Sequence, residues 1–287
     1  MTQTLILSAI DNLGWPEIRI WAESLRNSGY YGHIAVVVYR TNGVDTELLV
    51  TKCHEYGILL HQANYSLAYQ SIDALHKKYN EYPSLVCRDR FFEYWNLCTS
   101  LDTTYDWVLS TDARDVIFQK DPNEFLKSGF FGADIIASCE DQFYNNESWG
   151  KSDFKKAYGD TIYKLVGDKL ILNAGVIAVR GHFAADFFIT LYSMCDSSNT
   201  SAGDQAAYNL LLNTSLKDKV YVTPHQLDWA CQIGTTLDPL KPHLTITHPP
   251  SFDSSGVVKN YMGHPYHIVH QWDRNPTLKK IILNRYI

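Results

Sequence analysis

Two aspartates that follow an apolar run are the residues of this sequence best suited to chemistry. The run Trp107–Thr111 is typical of a buried strand and leads directly into Asp112-Ala113-Arg114-Asp115. Ligands of open parallel sheets bind at the carboxyl ends of the strands, so a carboxylate pair is well placed there. Two carboxylates this close repel each other unless a cation separates them, and Mg²⁺ or Mn²⁺ bound to diphosphate oxygens would do so. Arg114 would pair with one of the acids or with phosphate.

The same residues have a simpler interpretation, in which they form a capped strand-to-turn junction with a local Asp–Arg salt bridge. The motif alone does not choose between the two. Three later motifs bear on the choice: Asn173-Ala174-Gly175, Asp204-Gln205-x-x-x-Asn209 and the segment His267–Arg274. Each also has a structural interpretation, as a turn, as a helix N-cap and as a histidine packed in the core.

Together and in this order, the motifs resemble those of GT-A glycosyltransferases, in which a hydrophobic strand ends in an Asp-x-Asp signature that holds a nucleoside diphosphate through a metal. The resemblance covers roughly Leu5 to Arg274 and is strongest in Trp107–Pro122. The Asp112–Asp115 form departs from the plain signature. It is similar to small glycosyltransferase-like proteins that share the string Asp-x-Arg-Asp-x-x-Phe-Gln-x-Asp-Pro. This departure leaves open which acid binds the metal and which the ribose.

The resemblance implies a metal shell and a donor-sugar site. His270 lies where GT-A enzymes place a carboxy-terminal histidine, so Asp112, Asp115 and His270 are the implied ligands of Mn²⁺ or Mg²⁺. His264 and His267 are the second choices for the histidine.

The middle motifs are similar to those of glycogenin-type family 8 enzymes. Asn173-Ala174-Gly175 corresponds to their Asn-(Ser/Ala)-Gly, where small residues leave room for the donor sugar, so Asn173 and Gly175 are expected at the donor. Asp204-Gln205 corresponds to their Asp-Gln-x-x-x-Asn, whose acid and amide approach sugar hydroxyls.

The nucleotide itself is expected to lie against the first strand. The loop equivalent to Ser8, Ala9 and Asp11 contacts the base or ribose in GT-A proteins, which implies the same role here. Arg88 and Arg90 precede the aspartate-containing strand and would reach the diphosphate, although solvated helix charges explain them equally well.

The expected reaction is transfer of a sugar from a nucleoside-diphosphate sugar, with a UDP-sugar as the expected donor, to a hydroxyl of a glycan or other acceptor. An inverting enzyme needs a carboxylate base near that hydroxyl, for which Asp204, Glu140 and Asp141 are candidates. A retaining enzyme of the family 8 type lacks an obvious base, and the amides Asn173 and Gln205 would suit it. Asp204, Gln205 and Asp141 are therefore the candidate catalytic residues, and the motifs favour retention.

Two other functions are compatible with acids on an α/β sheet. A nucleotidyltransferase would usually carry a glycine-rich phosphate loop after its first strand, and Ser8–Leu13 is not such a loop. A non-catalytic nucleotide-sugar-binding module would keep the fold without turnover, and intact Asp112, Asp115 and His270 argue against it.

Alternating strands and helices are predicted to position these residues. The predicted strands are Thr4–Ile10, His33–Tyr39, Gly57–Leu60, Trp107–Thr111, Ala133–Ser138 and Leu170–Val179. The predicted helices are Pro16–Ser28, Asp45–Tyr56, Leu67–Lys78, Arg88–Leu101, Phe183–Cys195 and Asp204–Leu212. Asp141–Thr161 is expected to be a polar, aromatic connection, and Asp228–Pro265 to form loops over the active face.

This alternation predicts an α/β fold with a mostly parallel central sheet flanked by helices, of the GT-A (Rossmann-like) kind. We expect a single domain over residues 1–287. Residues 1 to about 125 would form the nucleotide-sugar-binding half, and about 126–287 the acceptor half with the carboxy-terminal metal-ligand tail.

Composition excludes some partners. Of the 287 residues, 45% are hydrophobic and 20% charged, which suits a globular core. A net charge of -6, with no basic run longer than a pair, argues against nucleic acid. No apolar window approaches the roughly 18 residues of a membrane span. The amino terminus does not resemble a signal peptide, and the six cysteines are scattered without a CxxC pair, so we expect a cytoplasmic location.

Overall fold

The structure of the chain is a computed structural model that describes residues 3–63, 85–130, 132–196, 198, 203–242, 244 and 246–286. The predicted helix Leu67–Lys78 lies outside the described residues. Of the other elements, the predicted strands and helices all occur, with ends that shift by a few residues.

The strands are β1 (Thr4–Ile10), β2 (His33–Val38), β3 (Ile58–Gln62), β4 (Trp107–Thr111), β5 (Val116–Phe118), β6 (Ile135–Phe143), β7 (Leu170–Arg180), β8 (Val220–Thr223), β9 (Ala230–Gln232), β10 (Ser251–Phe252), β11 (Val258–Lys259) and β12 (Ile268–His270). The helices are α1 (Trp15–Asn27), α2 (Thr46–Glu55), α3 (Leu85–Ser100), α4 (Pro122–Leu126), α5 (Ser148–Tyr163), α6 (Gly181–Asp196), α7 (Asp204–Asn213), α8 (Ile233–Thr236) and α9 (Pro276–Arg285), and a 3₁₀ turn spans Trp272–Arg274. Among the helices of the described ranges, none is both long and apolar enough to cross a membrane.

A seven-stranded sheet in the order β3-β2-β1-β4-β7-β6-β8 forms the centre of the molecule. All its neighbouring strands pair in parallel except at β7, which runs antiparallel to both β4 and β6. The predicted mostly parallel sheet is therefore confirmed. Because β7 is reversed and Thr111 pairs with Val176, the first half of β7 extends past the carboxyl end of β4. Asn173-Ala174-Gly175 belongs to this strand, so the turn interpretation of that motif is wrong.

Helices cover both faces of the sheet, as expected for strands that are apolar throughout. Along β1, Leu5 and Leu7 pack with α3 and α6 on one face, while Ile6 and Ile10 pack with α1 and α2 on the other. In α1, the indole of Trp21 donates to Thr111 Oγ1 at 2.9 Å. This bond fixes the end of β4, from which the two aspartates project.

A second, three-stranded sheet in the order β5-β12-β9 was not predicted. In it, β12 pairs antiparallel with β5 and parallel with β9, so that His270 lies opposite both Val116 and Gln232. The expectation of loops from Asp228 to Pro265 is therefore wrong for β9, α8, β10 and β11. Strands of two or three residues are too short to show a period-two pattern, and pairing between distant segments creates them.

The expected connection Asp141–Thr161 is also more regular than predicted. Strand β6 continues to Phe143, and helix α5 begins at Ser148. The side chain of Glu147 caps α5 by accepting from the backbone N–H groups of Trp149 and Gly150. The helix could not be predicted from the sequence, because its mixed polar and aromatic composition gives a weak hydrophobic periodicity.

All six cysteines are free.

Candidate active site

Asp112 and Asp115 flank a tight connection between the two sheets. Asp112 follows β4, and its backbone N–H donates to the carbonyl of Gly175 on β7 at 3.0 Å. Asp115 directly precedes β5, is buried, and accepts through its backbone carbonyl from the N–H of Gln271 at 2.7 Å. Each aspartate is thus anchored by its backbone, which leaves both carboxylates free to converge.

His270 completes a cluster with these two carboxylates. Its Nε2 lies 3.4 Å from Asp112 Oδ2 and 3.6 Å from Asp115 Oδ1. One ligand atom from each of the three residues lies within 4.8 Å of the others. We call Asp112, Asp115 and His270 the acidic cluster. The second choices lie elsewhere: His264 is exposed, and His267 Nδ1 lies 2.9 Å from the Asp228 carbonyl.

The electrostatics of the acidic cluster favour a positive charge at its centre. Burial lowers the pKa of His270, but the carboxylates of Asp115 and Asp112 outweigh it and raise the pKa to about 10. Burial also raises the pKa of Asp112, and Arg90 and His270 reverse this and hold it below its usual value. Two carboxylate oxygens and an imidazole nitrogen suit Mn²⁺ well and Mg²⁺ less well. The residues therefore fit a divalent cation.

A cavity of about 300 Å³ opens beside the acidic cluster. Its lining comes from three segments: the end of β1 and the loop after it, the first turns of α3, and the turn from Asp112 to Asp115. The lining residues are Ala9, Asp11, Leu13, Val86, Cys87, Arg90, Asp112, Ala113, Arg114 and Asp115.

Of the three residues at the end of the first strand predicted to contact the nucleotide, two line this cavity and one does not. Ala9 and Asp11 line it, whereas Ser8 is buried and donates its hydroxyl to the carbonyl of Thr111 at 2.7 Å. Asp11 also accepts from Arg40, whose Nε lies 2.7 Å from Asp11 Oδ1. Arg40 has no signal in the sequence, because it lies 29 positions from its partner.

The three predicted arginines have three different environments. Arg90 is 7% exposed and donates to Asp112 Oδ1 at 2.5 Å and to Asp204 Oδ2 at 3.1 Å, so it is not a solvated helix charge. Arg88 is equally buried but pairs with Asp89 and Asp196 and does not line the cavity. Arg114 is exposed and lines the cavity. Within the described part of the chain, it forms no ion pair with Asp112 or Asp115, contrary to the local salt-bridge interpretation.

A second group, which we call the amide cluster, consists of Glu140, Asn173 and Gln205. Glu140 Oε1 accepts from Asn173 Nδ2 at 2.8 Å and from Gln205 Nε2 at 3.2 Å. Burial raises the pKa of Glu140, and the bond from Asn173 partly opposes this. Predicted Asn173 and Gln205 are therefore brought together, with Glu140 between them.

Asp204 and Asp141, the predicted acids, are each held by another partner. Helix α7 has Gly203 as its N-cap, and the Asp204 carboxylate contacts Arg90, so the N-cap interpretation of Asp204 is wrong. Burial raises the pKa of Asp204 to about 6, although Arg90 opposes the shift. Asp141 has a left-handed backbone with φ of 51°, and its carboxylate contacts the His225 imidazole and accepts from the Cys139 thiol at 2.6 Å. The structure thus brings Glu140, not Asp141, to the amide cluster.

The imidazole of His270 occupies the space that a side chain at position 175 would need. A Cβ atom at position 175 would lie 2.3 Å from His270 Cε1 and 2.8 Å from Nε2, far inside van der Waals contact. The resemblance implied that small residues here leave room for a sugar. In the structure, the missing side chain of Gly175 leaves room for the histidine ring.

Gln232 contacts the acidic cluster but was not predicted. Its Oε1 lies 2.7 Å from His270 Nδ1, and its Nε2 donates to Ser138 Oγ at 3.0 Å. Gln232 lies in a three-residue strand whose partner is 38 positions away, so no local pattern could have found it.

Comparisons with known proteins bear on the family and the fold. The sequence model of the nucleotide-diphospho-sugar transferase family matches residues 96–277. Among solved structures, the chain is similar to the galactosyltransferase LgtC in complex with donor and acceptor sugar analogues (TM-score 0.53, 14% identity, 98% of this chain and 95% of that chain). It is also similar to the bifunctional glycosyltransferase WbbM (TM-score 0.55, 14% identity, 99% of this chain and 50% of that chain). A third similar structure is mouse xyloside xylosyltransferase 1 (TM-score 0.51, 12% identity, 94% and 97%). No curated protein sequence matches the chain.

Proposed function

Because the chain belongs to the nucleotide-diphospho-sugar transferase family and is a glycosyltransferase, we propose that it uses a UDP-sugar with Mn²⁺ or Mg²⁺ and glycosylates a hydroxyl of a glycan or other acceptor. One observation carries the metal dependence: Asp112, Asp115 and His270 converge at the edge of a cavity of about 300 Å³. The alternative of a nucleotidyltransferase has no comparable support.

The acidic cluster would hold the cation through the carboxylates of Asp112 and Asp115 and through Nε2 of His270. A bound divalent cation acts as a Lewis acid that neutralises negative charge on a leaving diphosphate. Arg114 supports the same role, because it is an exposed guanidinium that lines the cavity beside both aspartates. We propose that Arg114 contacts the diphosphate through charge-assisted hydrogen bonds.

The base and ribose would lie against the start of the cavity, where Ala9, Asp11 and Leu13 form one wall. Val86 of α3 contributes apolar surface to the same cavity. A flat base needs such apolar contact together with a few polar groups that fix its orientation. We propose that Asp11, already oriented by Arg40, is one of these polar groups.

We propose that the reaction retains the anomeric configuration of the donor. Inversion requires a carboxylate free to accept the acceptor proton. Each of the three candidate bases is already engaged: Asp204 by Arg90, Glu140 by two amides and Asp141 by His225. Proton NMR of the first-formed product would test this, because an inverted anomeric centre contradicts it.

The test of the function is release of nucleoside diphosphate from a panel of nucleotide sugars, with Mn²⁺, with Mg²⁺ and with EDTA. The variant is Asp115→Ala, and the matched control is Asp253→Asn, since Asp253 is a half-buried acid that pairs with Lys259 outside the cavity. We expect turnover of one donor, dependent on metal, lost in Asp115→Ala and retained in Asp253→Asn.

Two results would contradict the proposal. Binding of a nucleotide sugar by calorimetry without turnover, with acceptors present, would indicate a non-catalytic binding module. Release of pyrophosphate from nucleoside triphosphates would indicate a nucleotidyltransferase. The single-domain organisation and the cytoplasmic location stay predictions.

A further inference from the structure

The two nitrogens of the His270 imidazole face two different environments. Nε2 faces the carboxylates of Asp112 and Asp115, while Nδ1 lies 2.7 Å from Oε1 of Gln232. His270 and Gln232 are 3% and 1% exposed, so water has little access to the bond between them. They are also register partners on the parallel strands β12 and β9. The contact is therefore built into the second sheet.

The Gln232 amide also contacts a third residue. Its Nε2 donates to Ser138 Oγ on β6 at 3.0 Å, and its Oε1 faces the imidazole. A carbonyl oxygen only accepts hydrogen bonds, so Nδ1 must carry the proton. A neutral imidazole with its proton on Nδ1 has its lone pair on Nε2. That nitrogen is the one that faces the acidic cluster.

We propose that Gln232 is a positioning residue for the metal site: it keeps the proton of His270 on Nδ1 and holds the ring so that Nε2 is available to a divalent cation. This inference rests on the proposed metal-dependent function. Histidines that bind metals commonly donate their other N–H to an oxygen acceptor, and loss of that acceptor typically weakens metal binding by about 10–100-fold. The ring also packs closely against Gly175, where a Cβ atom would lie 2.3 Å from His270 Cε1.

The test measures binding of Mn²⁺ alone, by the loss of the free-ion EPR signal during titration. In Gln232→Leu the acceptor is gone, and we expect the Kd for Mn²⁺ to rise about 10–100-fold. In Gln232→Glu a carboxylate oxygen can accept from Nδ1, so we expect a Kd close to that of the wild type. This second variant tests the idea even if Gln232→Leu does not fold.

The matched control is Gln119→Leu, which removes a glutamine amide at the end of β5 in the same region. Among the described residues, the Gln119 side chain bonds to backbone groups alone, namely the carbonyls of Val258 and Tyr266 and the N–H of Val258. Its loss should lower stability without changing the Kd for Mn²⁺. In pulsed EPR of bound Mn²⁺, the coupling to an imidazole nitrogen should persist in Gln119→Leu and weaken in Gln232→Leu.

The outcomes separate this inference from the proposed function. If the wild type does not bind Mn²⁺, the metal-dependent function itself is wrong. If the wild type binds and Gln232→Leu binds equally well, only the role of Gln232 is wrong. The role is also overturned if Gln119→Leu weakens binding as much as Gln232→Leu, or if Gln232→Glu is as weak as Gln232→Leu.

Discussion

At Gly175, strand β7 contacts the acidic cluster of Asp112, Asp115 and His270, and two residues earlier, at Asn173, it forms part of the amide cluster with Glu140 and Gln205. In the acidic cluster, Arg90 pairs with one of the two carboxylates, Asp112, and the proton of His270 or a bound cation is needed to neutralise the other. In the amide cluster, a single carboxylate accepts from two amides. The acidic cluster is therefore suited to binding a cation, and the amide cluster is a polar network satisfied by bonds among its members and from the backbone of β7. Substitutions in the two clusters should affect different properties.

The largest expected effect is on turnover, in Asp115→Asn. Loss of one metal-binding carboxylate should lower metal-dependent release of nucleoside diphosphate by on the order of 10³-fold. Stability in EDTA should change little, because the lost attraction between Asp115 and the protonated His270 is offset by the relieved repulsion between Asp115 and Asp112. Turnover assays and thermal unfolding in EDTA measure the two effects. A variant that loses stability together with activity would remove the distinction between the clusters.

Glu140→Leu should show the opposite pattern. Without the carboxylate, the buried amides of Asn173 and Gln205 lose an acceptor, which should cost about 2–3 kcal/mol of unfolding free energy in urea. Glu140→Gln is the control, because its side-chain oxygen can still accept, and it should recover most of this loss. Binding of Mn²⁺ should be unchanged in both variants. Equal stability of Glu140→Leu and Glu140→Gln would mean that the network contributes little.

Gly175→Ala tests the close contact between strand β7 and the ring of His270. The added Cβ would lie 2.3 Å from His270 Cε1, so the ring or the strand must move, at a cost of about 1–3 kcal/mol. The clash disappears if the ring is also removed, so Gly175→Ala combined with His270→Ala should cost less than the sum of the single variants. A double-mutant cycle of urea unfolding in EDTA measures this coupling. Additive effects would show that the ring does not restrict position 175.

The smallest expected effect is a pH dependence at Asp204, which lies next to both clusters. The folded protein holds the Asp204 proton up to a pKa of about 6, whereas an ordinary aspartate releases it near 3.8. The folded state therefore binds more protons between these values, and stability falls as pH rises through this window. Relative to Asp204→Asn, which cannot titrate, the wild type should lose on the order of 1–2 kcal/mol between pH 4 and pH 6. Urea unfolding at several pH values in EDTA checks the sign. A rise in the relative stability of the wild type would contradict the raised pKa.

Much of the first half of the fold was predictable because its elements have strong local patterns. Helix α1 shows apolar residues at helical spacing and ends before Gly29, whose φ of 94° suits glycine. Strand β1 is a continuous apolar run, as expected for a strand covered on both faces. The second half was less predictable, since β5, β9 and β12 have three residues each and exist only by pairing with one another.

By itself, the sequence determined the alternation of strands and helices and the mostly parallel sheet, because these follow from hydrophobic period. The carboxylate pair Asp112 and Asp115 followed from motif chemistry, and His270 followed from the resemblance to GT-A glycosyltransferases. Only the tertiary structure decided that Glu140 and not Asp141 joins Asn173 and Gln205, that Arg90 bridges Asp112 and Asp204, and that Gln232 faces Nδ1 of His270. These contacts join residues between 22 and 114 positions apart. Pairing across such distances depends on strand register and on the burial of charge, and neither can be read from a local sequence pattern.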